Sequence, residues 1–137
     1  MEGCREVLMS AVIKQDILQL RILLLDDDEL VAEYLADLLQ SEGYMVTIYN
    51  DSNVAVSDFQ AKQDDFDLVI TDQMIPGMTG IEVAASILQQ RPDMPIFLIT
   101  GYSDQVDVSN ASSFGFKSFF AKPINEELFL NQIRQLV

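Results

Sequence analysis

Short apolar runs alternate with amphipathic segments along this chain, five times over. The runs Arg21–Leu25, Tyr44–Tyr49, Asp67–Thr71, Pro95–Thr100 and Ser118–Ala121 suit buried strands. Between them, apolar residues recur at three- and four-residue steps, the helical spacing. The clearest case is Glu29–Glu42, with Leu30, Val31, Tyr34, Leu35, Leu38 and Leu39 on one side and Gly43 placed for a left-handed end. Helices are also predicted over Ser52–Lys62, capped by Asp51 or Ser52, over Gly80–Gln90, which stops short of Pro92, and over Asn125–Leu136. The segment Asp104–Ser113 reads as a short or mobile fourth helix, because its valines, asparagine and serines are middling or poor helix formers. Strands that are apolar on both sides belong in a parallel sheet with helices on each face, so the fold class predicted is α/β and doubly wound.

Residues 1–20 stand outside this fivefold count and are expected to form an N-terminal extension to a single domain over 21–137. Met9, Ile13, Ile17 and Leu20 fall on one helical face, a stripe that could dock on the domain, pair with a partner, or be the stub of a longer protein. A chain of 137 residues has room for one compact domain. No stretch approaches the roughly 20 apolar residues that a membrane span needs. With 22 acids against 8 bases, the net charge of -14 argues against direct nucleic-acid binding. It suits a basic partner surface, or a divalent cation drawn into an acidic cleft. Cys4 is the only cysteine, which together with the lack of a secretory signal pattern points to a reducing, cytoplasmic setting.

Candidate chemistry lies at the strand ends, where open parallel sheets bind ligands. Asp26, Asp27 and Asp28 close the first strand, Asp72 the third, Thr100 the fourth and Lys122 the fifth. Each has an ordinary explanation alone: a solvated loop with a helix cap from Asp27 or Asp28, a hydroxyl bonded to backbone, a surface ion pair. Together they make a site. Carboxylates converging on one crevice repel one another unless a cation sits among them, and an all-oxygen set suits magnesium. An aspartate there can attack phosphorus, while an ammonium and a hydroxyl stabilise the phosphoryl oxygens.

Four segments in order, Arg21–Glu29 (RILLLDDDE), Asp67–Gly80 (DLVITDQMIPGMTG), Ile99–Ser103 (ITGYS) and Ala121–Pro123 (AKP), resemble receiver domains of two-component response regulators, the CheY-like superfamily. The resemblance covers about residues 20–137. It implies a flavodoxin-like (βα)5 fold with strand order 2-1-3-4-5. It also implies that Asp72 is the phosphoacceptor, aided by Thr100 and Lys122. Magnesium, or manganese, is then bound by Asp27, Asp72 and the Met74 backbone carbonyl, with Asp26 acting through water. Pro123 follows a cis bond, and Thr100 with Phe119 forms the activation switch, although an aromatic at Phe119 can equally be plain core.

The same resemblance implies a histidine kinase or phosphotransfer protein as donor, since the chain has no histidine of its own. Output would pass to a downstream protein partner over a surface made by Asp104–Ser113, the fifth strand and the last helix, with a phosphorylation-dependent homodimer left open. Such a domain is no enzyme in the usual sense; it catalyses only its own phosphorylation and dephosphorylation. Thr100–Ser103 is similar to receivers attached to hybrid histidine kinases. Met74 and Tyr102 put apolar or bulky side chains where relatives orient the attacking water, so slow self-dephosphorylation is expected.

Other functions fit less well. A receiver-shaped docking module that takes no phosphate is opposed by the completeness of the site. An aspartate-nucleophile phosphatase of the haloacid dehalogenase type would need a small hydroxyl residue where Leu30 stands, and a flavodoxin-like FMN carrier could not wrap a phosphate with three aspartates.

Overall fold

A computed structural model of the chain describes residues 19–101, 107 and 109–136. Five strands, β1 (Arg21–Leu25), β2 (Met45–Tyr49), β3 (Leu68–Thr71), β4 (Ile96–Thr100) and β5 (Ser118–Ala121), form one parallel sheet in the order β2-β1-β3-β4-β5. Four α-helices are described: α1 (Glu29–Ser41), α2 (Ser52–Ala61), α3 (Gly80–Gln90) and α4 (Glu126–Arg134). The alternation of strand and helix therefore produced the expected doubly wound sheet, and the strand order is the one the resemblance implied.

Alternation of side chains along each strand divides the core in two. Leu23, Leu25, Val69, Ile96 and Leu98 face Phe59 of α2 and Val83 and Ile87 of α3. Ile22, Leu24, Ile70, Phe97 and Ile99 face Leu35 and Leu39 of α1 and Phe129 and Ile133 of α4. Full burial of side chains of this size contributes about 2 kcal/mol each. β1, β3 and β4 are covered on both faces and are buried almost throughout, whereas β2 and β5, the edges, are partly exposed. Leu20, expected to belong to the extension, is buried against the second core, and its carbonyl accepts the Met45 N–H at 2.9 Å. The rest of the predicted stripe, Met9, Ile13 and Ile17, lies outside the described residues.

Helix ends follow from local chemistry. Asp28 caps α1 by accepting from Leu30 and Val31 N–H, and Gly43, at φ +92°, ends it in the left-handed region. Asp51, not Ser52, caps α2. Thr79 and Glu82 cap α3 reciprocally, and Asn125 is the cap of α4, not its first residue. The one departure in kind is the predicted fourth helix. Residues 102–106 and 108 lie outside the described residues, and Ala111–Phe114, its far end, is a 3-10 helix. The Asp107 carboxylate accepts from the Ser109 and Asn110 N–H groups and the Ser109 hydroxyl, while Asn110 Oδ1 accepts from Asp107 N. Short polar side chains here bond the backbone locally and compete with α-helical bonding.

At the amino end of the sheet Asp67 latches β3 to β1. Its carboxylate accepts from Arg21 N at 2.9 Å, Nε at 3.0 Å and Nη2 at 3.2 Å, and its own N–H donates to Arg21 O. Burial pushes the carboxyl up, but the Arg21 bonds outweigh it and hold Asp67 below the usual carboxylate range. A depressed folded-state value adds stability above the unfolded value that is lost as pH falls through the folded one. Asp67→Asn should therefore lower stability by about 1 kcal/mol at pH 7, both side chains being partly exposed. The difference from wild type should shrink in urea titrations taken down through the carboxylate range; an equal difference at pH 7 and in strong acid would contradict this.

Candidate functional site

The parallel sheet delivers four chain ends to one edge. β1 and β3 are neighbours, so Asp26 and Asp72, each the residue after its strand, emerge side by side. The ladder extends by one bond past each strand: Asp26 N donates to Tyr49 O and Asp72 N to Leu25 O, both at 3.0 Å. Thr100 ends β4 and is buried, and its carbonyl accepts from Lys122 N at 3.0 Å. Lys122, after β5, then reaches back across the crevice.

Its ammonium donates to Asp72 Oδ2 at 2.8 Å and to Asp26 Oδ2 at 3.0 Å. Both carboxylates are nearly inaccessible, Asp26 at 2% and Asp72 at 7% of full exposure. Their other oxygens are taken up by backbone. Asp26 Oδ1 accepts from Asp28 N at 2.9 Å, and Asp72 Oδ1 accepts from Gln73 N at 2.7 Å and Met74 N at 3.3 Å. Burial pushes the Asp26 carboxyl up, outweighing the Asp28 N–H and Lys122 that favour its charged form. For Lys122, burial disfavours the charge, but the bonds to Asp72 and Asp26 prevail and raise it above its ordinary value. The ammonium stays charged.

Asp27 is exposed, yet it can place a carboxylate oxygen within 4.8 Å of those of Asp26 and Asp72. Three carboxylates against one ammonium leave two negative charges in one crevice. Each carboxylate oxygen has two lone pairs, so Oδ2 of both buried aspartates can take a further partner. An oxygen-only donor set with this residual charge could hold a hard divalent cation.

The predicted residues are thus brought together in one place: Asp26, Asp27, Asp72 and Lys122 by direct contact or proximity, Thr100 beside them through the Lys122 backbone. The Met74 side chain is 65% exposed, leaving its backbone to line the loop after β3. The Lys122–Pro123 bond is cis. Phe119 stands slightly apart, partly buried at the margin of the core under α2 and α3. Tyr102 lies outside the described residues.

Three residues near the site were missed from the sequence. Gln73 is buried, and its side-chain oxygen accepts from Ile81 N, the second residue of α3, at 2.9 Å. Asn50, in the β2–α2 connection, and the fully buried Ser52, the first residue of α2, bond the loops after β1 and β3. Nothing in local spacing marks them, because their partners are some 24 to 26 residues away in sequence for Asn50 and Ser52. Gly80 explains the tight base of the β3–α3 loop: a Cβ there would lie 2.5 Å from the Asp72 carbonyl oxygen.

Comparison with known proteins gives a consistent result. The family model of the response regulator receiver domain matches residues 22–134. The DNA-binding response regulator MtrA of Mycobacterium tuberculosis is 32% identical over 119 residues, 87% of this chain and 51% of MtrA. The putative two-component response regulator ARR21 of Arabidopsis thaliana is 29% identical over 112 residues, 82% of this chain but only 18% of its own length. This chain therefore spans about half or less of the length of these curated relatives. Among solved structures, the response regulator protein TrrA of Thermotoga maritima, in complex with Mg2+ and BeF, has a TM-score of 0.76 and 32% identity, covering 86% of this chain and 99% of that one. A receiver domain protein of Clostridium thermocellum, at 24% identity, shares the fold with a TM-score of 0.79, covering 85% and 93%. With a family model matched along most of its length and that family's fold in its sheet, this chain belongs to the response regulator receiver domains of two-component signalling.

Proposed function

We propose that Asp72 is the phosphoacceptor of this receiver domain, that magnesium or manganese is held by Asp27, Asp72 and the Met74 backbone carbonyl with Asp26 acting through water, and that Thr100 and Lys122 receive the phosphoryl oxygens. The observation that carries this reading is the Lys122 ammonium, which bonds the buried Asp72 and Asp26 carboxylates together at the carboxyl end of the sheet. A group attached to Asp72 Oδ2 would lie beside an ammonium already positioned for it. TrrA, in complex with Mg2+ and BeF, is a relative that supports the choice of cation.

In the reaction, a bond forms between an Asp72 carboxylate oxygen and phosphorus while the P–N bond of a phosphohistidine donor breaks. The bonding pair leaves with the imidazole, which departs neutral when its other ring nitrogen is protonated. Backbone N–H groups of Gln73 and Met74 hold Asp72 Oδ1, which fixes the carboxylate plane and directs Oδ2 toward the crevice. Lys122 offsets the negative charge on the transferred group. A bound cation would supply further charge neutralisation to the phosphoryl oxygens and to the crowded carboxylates.

This reading makes a histidine kinase or phosphotransfer protein the donor and a downstream protein the recipient of the signal. We assign the switch to Thr100 and Phe119, since Phe119 is only partly buried at the edge of the core and is paired through β5 with Leu98 of β4. The residues ahead of Leu20 are assigned to an extension, Leu20 itself being part of the domain core; the match to the family model starts at Ile22.

Incubation with acetyl phosphate and magnesium should add one phosphoryl group by intact mass, dependent on the cation and lost in Asp72→Asn. No adduct would favour a phosphate-independent docking module, and one that survives the substitution would favour a different acceptor site. The phosphorylated form should persist far longer than seconds at neutral pH, because the exposed Met74 side chain offers no hydrogen bond to orient water. Met74→Asn should shorten that lifetime several-fold without changing the site of modification; an unchanged lifetime would assign the persistence to other groups.

A further inference from the structure

The β2–α2 connection and the first residue of α2 take no part in the chemistry above, yet they touch both loops that carry the candidate cation ligands. Asn50 Nδ2 donates to the Asp26 backbone carbonyl at 2.8 Å. Two residues on, the Ser52 hydroxyl donates to Pro76 O at 2.9 Å and accepts from Met78 N at 2.7 Å, at a fully buried position. Between those two partners Gly77 has φ +93°, and a Cβ on it would lie 2.9 Å from Ser52 Oγ, so the loop closes directly on the hydroxyl. At the loop's other foot, Gln73 O accepts Gly80 N at 3.0 Å and Gln73 Oε1 accepts Ile81 N at 2.9 Å. Met74 lies between the two clamps.

We propose that Asn50 and Ser52 form a strap that sets the divalent-cation affinity of the site, by fixing the Asp26–Asp27 run and the Asp72–Met78 loop at the separation the cation requires. The inference rests on the reading that these loops hold the cation. Sheet bonding stops at Asp26 N and Asp72 N, so beyond those atoms neither loop is held by the ladder. The carboxylates they carry repel one another and would splay the loops apart. Ties from a third element oppose that splaying from both sides. Magnesium tolerates little departure from octahedral geometry, and loss of outer partners of metal ligands typically weakens binding by about 10- to 100-fold. Asn50 and Ser52 are positioning residues; neither touches the crevice carboxylates with its side chain.

The test is calorimetric titration of magnesium into the whole chain, without phosphodonor, for wild type, Ser52→Ala, Asn50→Ala and Asp67→Asn. The first two substitutions should each raise Kd by about tenfold. Asp67→Asn, which loosens the opposite end of the sheet, should lower stability and leave Kd unchanged. In acetyl phosphate reactions, the magnesium needed for half-maximal rate should rise by the same factor in Ser52→Ala, and the rate at saturating magnesium should return to that of wild type. A general loss of folding would not show that recovery. Asn50 is exposed, so Asn50→Ala remains informative if the buried Ser52→Ala variant does not fold. Wild-type affinity in both strap variants, or an equal loss in Asp67→Asn, would overturn the strap. Failure of the wild type itself to bind magnesium would instead remove the cation reading on which the strap rests.

Discussion

One ammonium group holds the working end of this molecule together. Asp26 and Asp72 are buried carboxylates on adjacent strands, and their approach is tolerable because Lys122 donates to both. Burial drives the Asp26 carboxyl toward its neutral form, and it carries a raised value despite its partners. The lysine can reach them because β5 lies two strands from β3 in the sheet. Order β2-β1-β3-β4-β5 is thus an electrostatic requirement as well as a packing one: it sets the acids beside each other and the cationic residue within reach.

The residual charge of the crevice links structure to function. Two negative charges remain after the ammonium is counted, and the donor atoms nearby are oxygens. Such a place is poised for a divalent cation and for a phosphoryl group that brings its own negative oxygens, since each makes the other easier to accommodate. Phosphoryl transfer asks the protein mainly for position and charge, both of which a small domain can supply. The strands β1, β3 and β4, buried almost throughout, supply position; the loops beyond them are held by hydrogen bonds from capping and tying residues. The overall charge of -14 belongs to the same picture, because it leaves the few cations, Lys122 above all, to act where they are placed.

Much of this was legible along the chain. Strand runs and helical stripes predicted every strand and the four α-helices to within about two residues, because periodicity reflects which side of an element is buried. Boundaries moved where a cap took a residue out of its helix, as at Asn125, or where a bond to the preceding helix took one out of its strand, as at Tyr44, whose N–H donates to Leu39 O. The sequence predicts the end of an α-helix at Ser113, whereas Ala111–Phe114 is a 3-10 helix, since Asp107 and Asn110 satisfy backbone groups with their own side chains. Propensity scales warned of weakness there but carry no information on which local bonds replace the helix.

By itself the sequence determined the class of fold, the four strand-end positions and the residue types that meet there, because each depends on short-range pattern and on chemistry that a residue carries wherever it sits. Tertiary structure alone decided which carboxylates share the lysine, that Asp26 is buried while Asp27 is exposed, and that Asn50, Ser52 and Gln73 hold the surrounding loops. Those facts join residues from 24 to 96 positions apart for the strap and the lysine bridge. Contacts at such separations arise from how twisted strands are ordered and spaced in a sheet, a property of the whole assembly that no local stretch of the chain encodes.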